Sequence, residues 1–69
     1  MNRELLLNFI RETGIKTKVE VYEKFYGENP EIVGMSIDSL VFKNMIRRAK
    51  YDAPDGVSEI YFIPPGSNS

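Results

Sequence analysis

The sequence predicts an α+β fold in which three helices are followed by a two-stranded β-hairpin, with a short strand before the second helix. Three observations carry this expectation. Ile37, Leu40 and Val41 recur at the spacing of one helical face. Asn44 then stands where a left-handed C-terminal cap belongs, and asparagine tolerates that backbone better than any residue but glycine. After the apolar pair Met45-Ile46 comes an extended run from Arg47 to Asp52, a turn signal Ala53-Pro54-Asp55-Gly56, and a second run from Val57 to Ile63.

The first helix is expected from Arg3 to about Thr13, capped by Asn2 and ended by Gly14. Glu4 in its first turn and Arg11 in its last suit the helix dipole. Leu5, Leu6, Leu7, Phe9 and Ile10 make an apolar surface wider than one stripe, so this helix is either central in a single core or buried against a second copy. Ile15 and Lys16 suit a short strand that adds an edge to the hairpin. Thr17-Lys18-Val19-Glu20 is a capping box, which starts the second helix at Lys18, and Gly27 suits its end. Val21, Tyr22 and Phe25 form its buried face.

Asn29-Pro30-Glu31 combines an N-cap, a proline at the first helical position and an early acid, and predicts a third helix from Pro30 to Lys43. Gly34 costs up to ~1 kcal/mol relative to alanine in mid-helix, and a start at Ser36 is the alternative. Val33, Ile37, Leu40 and Val41 then point inward. Glu31, Met35, Asp38, Ser39 and Phe42 point outward, with Ser36 and Lys43 on a flank.

A chain of 69 residues is one domain, here expected over 1–63 with a disordered tail over 64–69. Cysteine and histidine are absent, which excludes disulfides and thiolate metal sites and removes the commonest metal ligand and general base. Asp52, Asp55 and Glu59 lie around the turn without the spacing of a calcium loop. Neither an enzyme, a cofactor nor a small-molecule substrate is expected. No apolar run approaches the ~20 residues that span a bilayer, and the start of the chain lacks the apolar core of a signal peptide, so a cytoplasmic protein without membrane contact is expected. Nine basic against ten acidic side chains give a net charge of −1, so any polyanion binding must come from local charge.

The stretch SLVFKNMIRRAKYDAPDGVSEIYFI resembles the end of a winged-helix domain: a leucine, a short capped stop, an apolar pair, basic strand residues and a turn. The likeness is to small winged-helix regulators of archaea and their viruses, in which DSL, an apolar residue after the stop and APDG occur in this order. It extends over the second half of the chain in residue detail and over the first half in element order. The resemblance implies a winged helix-turn-helix, a fold whose members bind DNA, RNA or other proteins.

Two functions follow as expectations. The first is a transcriptional regulator that binds double-stranded DNA as a homodimer, with helix three in the major groove and the wing on the backbone. Its DNA contacts would be Lys16, Lys18, Ser36, Ser39, Lys43, Arg48 and Lys50, with Arg48 and Lys50 sharing the outward face of the first wing strand. Its dimer interface would be Leu5, Leu6, Leu7 and Phe9. The second is a winged-helix protein-interaction module without DNA binding, using the outward Met35 and Phe42.

Overall fold

The local signals for helix starts are all used. Asn2 accepts the Glu4 N–H at 2.7 Å, and α1 spans Arg3–Arg11. At Thr17 both halves of the capping box form: its hydroxyl accepts the Glu20 N–H at 3.1 Å, and its own N–H donates to the Glu20 carboxylate at 2.8 Å. They start α2, which spans Lys18–Lys24. Asn29 accepts the Glu31 N–H at 2.9 Å with Pro30 at the first position, so α3 spans Pro30–Phe42 and not a shorter run from Ser36. The structure, a computed structural model, describes residues 1–65.

All three helices end earlier than expected, α3 by one residue at Phe42. α1 stops at Arg11 with Glu12 as its cap, and the Gly14 N–H then closes back on the Ile10 carbonyl at 2.9 Å. α2 stops at Lys24 with Phe25 as its cap, leaving Gly27 in the following turn. Gly34 does not interrupt α3. A Cβ there would lie 3.3 Å from the Tyr22 hydroxyl, a tight contact that would ask the Tyr22 side chain to give by a few tenths of an ångström.

Asn44 ends α3 with φ 61. Its N–H donates to the Val41 carbonyl at 3.0 Å, and the Met45 N–H donates to the Leu40 carbonyl at 2.9 Å, the paired bonds of a Schellman stop. Ile46 follows directly into the core, and β2 (Arg47–Ala53) and β3 (Gly56–Phe62) form the hairpin about a two-residue turn, Pro54-Asp55.

The sheet is antiparallel, three-stranded and ordered β1-β3-β2, where β1 is Ile15–Thr17. The short strand before helix two is therefore a full member of the sheet, paired Ile15 with Phe62 and Thr17 with Ile60. The Ile63 N–H, donated to the Gly14 carbonyl at 2.9 Å, extends this junction. Three helices on one three-stranded antiparallel sheet are compatible with the winged-helix expectation.

One core joins both layers: Leu6, Leu7 and Ile10 of α1, Val21 of α2, Val33, Ile37 and Leu40 of α3, then Ile46 and Tyr61. Leu6, Leu7 and Ile10 of the broad apolar surface of α1 are thus covered within one chain, while Leu5 stays exposed. Pro64, the first residue of the expected tail, is buried, and residues 66–69 lie outside the described residues.

Leu40 joins α1, α3 and the root of the hairpin. Leu40→Ala should cost about 2 to 5 kcal/mol, most of the stability of so small a domain. Circular dichroism melting should find the variant largely unfolded at room temperature; a midpoint within a few degrees of the parent would refute this packing. Glu20 gives a pH test. The Thr17 backbone N–H, then its hydroxyl, hold the Glu20 carboxyl below the ordinary carboxylate range. Because the folded value is the lower one, its stabilisation is complete above the unfolded value and disappears as pH falls through the folded value. Glu20→Gln should therefore flatten the acid limb of stability below about pH 4. Superimposable acid limbs would exclude a role for this carboxylate.

Candidate interaction surfaces

Residues directly opposite one another in a sheet share a face, and successive residues alternate. Tyr61 is buried beneath the helices, and its partners are Lys16 on one side and Arg48 on the other. Lys16, Arg48 and, two residues on, Lys50 therefore lie on the helix side of the sheet. Arg47, Ala49 and Tyr51 lie on the outer side, with Ile60, Phe62 and Ile15. This reverses the expected orientation of Arg48 and Lys50.

The reversal changes what these cations can do. Arg48 donates from Nη2 to the Asp38 carboxylate of α3 at 2.7 Å, so its charge is neutralised across the space between hairpin and helix. Lys50 faces Glu59 across the ladder. Glu59 also accepts a bond of 3.0 Å from the Tyr61 hydroxyl, and burial, then that bond, push the Tyr61 pKa up. Lys16 is only 8% exposed, with its ammonium 4.4 Å from the centre of the Phe9 ring and 3.9 Å from Glu12. Its charge is thus taken up within the fold, by the Phe9 ring and Glu12.

Two of the expected hydroxyl contacts are also engaged. Ser36 is buried and donates to the Ile32 carbonyl at 2.9 Å. Ser39 accepts from Arg3 Nη1 at 2.6 Å, which pins the start of α1 to the middle of α3. Of the seven residues expected on DNA, Lys18, Lys43 and Lys50 stay exposed and have no ion pair among the described residues.

The expected dimer face fares similarly. Leu6 and Leu7 are inside the chain's own core. Phe9 is half-buried, edge-on to Phe25 at 6.0 Å, with Lys16 and Lys24 over its ring. Leu5 alone of the four is well exposed, at 58%. These residues offer a second copy little apolar area.

On α3 four of the five residues expected outward, Glu31, Met35, Asp38 and Phe42, are exposed, while Ser39 is half-buried. Phe42 is 88% and Met35 65% exposed, with Ile32 partly so, and Glu31 and Asp38 stand beside them. Among the described residues no helix is long and apolar enough to cross a membrane, and no three His, Cys, Asp or Glu gather to hold a metal.

A second surface was not expected. Between α1 and the end of α3 lies an open cleft of about 590 Å³ whose lining includes Arg3, Leu7 and Arg11 from α1, Leu40 and Lys43 from α3, and Met45. The signal was present in the sequence: positions 3, 7 and 11 fall at successive spacings of four, so Arg3 and Arg11 flank Leu7 on one row of the helix. The chain matches no protein-family model, and no curated protein is similar to it.

Asp38 holds back the charge of Arg48, and both side chains are substantially exposed. Asp38→Asn should lower stability by less than about 1 kcal/mol while lengthening retention on immobilised heparin. Unchanged retention would show that Asp38 does not mask the guanidinium.

Proposed function

We propose that the chain is a winged-helix interaction module that engages a partner protein through the exposed face of α3, and not a reader of duplex DNA. One observation carries the reading. The face that would have to enter a DNA groove presents Phe42 and Met35 next to the unpaired Glu31, with Asp38 beside them already paired to Arg48. Carboxylates repel phosphates, and apolar side chains gain little from a phosphate-lined groove. An exposed apolar stripe edged by charge is what protein contacts use. The winged-helix assignment is supported by the element order, the capped stop after α3, and a hairpin extended by the strand before α2.

The DNA-binding regulator stays as the second reading, supported by the unpaired, exposed Lys18, Lys43 and Lys50. Homodimerisation through α1 has lost most of its apolar surface and is not part of the proposal. Fluorescence anisotropy with a random duplex pool at low salt separates the readings. The interaction module should bind weakly, with an affinity little altered when Lys18, Lys43 and Lys50 are all replaced by alanine. Tight binding with a steep salt dependence, whose slope falls by about 3 in that variant, would restore the DNA reading. Met35→Ser with Phe42→Ser should also leave stability within about 0.5 kcal/mol for each substitution, as expected of side chains that serve contact and not folding.

A further inference from the structure

We infer that two copies of the chain pair along the free edge of β2, antiparallel and about a two-fold axis, to make one continuous sheet. This surface lies apart from the exposed α3 face, and the inference does not rest on the reading given to that face.

The ladder fixes which backbone groups are free. The Ile63 N–H donates to the Gly14 carbonyl at 2.9 Å, so odd-numbered residues along β3 turn their backbone groups toward β1 and even-numbered ones toward β2. β2 accordingly bonds β3 through Arg47, Ala49, Tyr51 and Ala53, and the closure of the two-residue turn on Ala53 and Gly56 agrees. The backbone groups of Arg48, Lys50 and Asp52 therefore point to the open edge. Arg47, Arg48, Ala49, Lys50 and Asp52 are all exposed, so the edge stands clear of the chain's own helices. Only an extended polypeptide presents donors and acceptors at this period; a nucleic acid has no such row, and a helix uses its own internally.

The side chains then choose the register. With Lys50 opposite Asp52 of the second copy, the two-fold axis repeats the pair with the roles exchanged. Lys50 comes to stand between Glu59 of its own chain and that aspartate, and among the described residues neither Lys50 nor Asp52 has an ion pair already. The alternation of backbone groups allows only registers a whole period away. One step in one direction opposes Lys50 to Lys50, and one step in the other opposes Asp52 to Asp52. On the outer face the favoured register sets Tyr51 against Tyr51 at the axis, with Ala49 of each copy beside Ala53 of the other. An aromatic pair is thus flanked by small residues that leave room for the rings. The assembly closes at two copies, because the opposite edge is β1, whose three residues are too short a template for another.

Sedimentation velocity over a concentration series tests the pairing. A strand edge buries less than the ~1,200 Å² of a standard interface, so the dimer should be weak and form in the high-micromolar range. Lys50→Glu opposes acids and Asp52→Lys opposes cations, and each should weaken association about tenfold. The variant carrying both restores the pairs with their signs exchanged and should recover the wild-type constant. In the wild type, the Lys50 and Asp52 amides should exchange more slowly at dimer concentrations than in dilute protein. A monomer at millimolar concentration, unchanged exchange of those amides on dimerisation, or a double variant no tighter than either single one would overturn the proposal. So would a dimer abolished by Met35→Ser with Phe42→Ser, which would move the contact to α3. Failure of the β2 pairing alone leaves the α3 reading standing.

Discussion

Because Asn44 takes a left-handed backbone, the Met45 amide can reach back to the Leu40 carbonyl, and the chain leaves α3 in one defined direction. Everything downstream depends on that exit. Ile46 enters the core on the next residue, which sets the parity of β2 and places Arg48 on the helix side, within reach of Asp38. The hairpin register then puts Tyr61 opposite both Arg48 and Lys16. A residue at position 44 unable to hold this conformation would misdirect the hairpin before any side chain packed.

Among the described residues two of the four sheet cations, Lys16 and Arg48, are held in ion pairs. Arg48 is neutralised by Asp38, Lys50 faces Glu59, and Lys16 is folded onto Phe9 and Glu12. Among the described residues the other cations are spread over the molecule: Arg3 and Arg11 on α1, Lys18 and Lys24 on α2, Lys43 after α3, and Arg47 and Lys50 on β2. The exposed apolar side chains Phe42, Met35 and Ile32 stand along α3 beside Glu31.

The starts and stops of the helices were legible because each is settled within four residues. Asn2, the Thr17 and Glu20 pair, Asn29 with Pro30, and Asn44 all act on neighbouring backbone. The faces of β2 were not legible, because Met45 and Ile46 are both apolar and either could have been the one that enters the core. Choosing the wrong one turns over every later side chain, and so Arg48 and Lys50 were expected on the outside. The engagement of Ser39 was hidden for another reason: its partner Arg3 lies 36 positions away. The burial of Lys16 needed the ring of Phe9, brought over it only by packing. The breadth of the α1 surface was visible, yet whether it faced a second chain or its own core depended on how α3 and the sheet close around it.

The order β1-β3-β2 leaves β2 with one ladder of backbone groups unpaired along its seven residues. Such a margin is a template on which another chain could lengthen the sheet, and the outer face here, with Ile15, Ile60 and Phe62, would favour stacking of what grew. Arg47, Arg48, Lys50 and Asp52 occupy four of those seven positions. Any strand aligning alongside would have to bring its own backbone against a dense row of solvated charge. The charged character of this strand, which first suggested nucleic acid, also disfavours the edge-to-edge pairing of one copy with another in any register that opposes like charges.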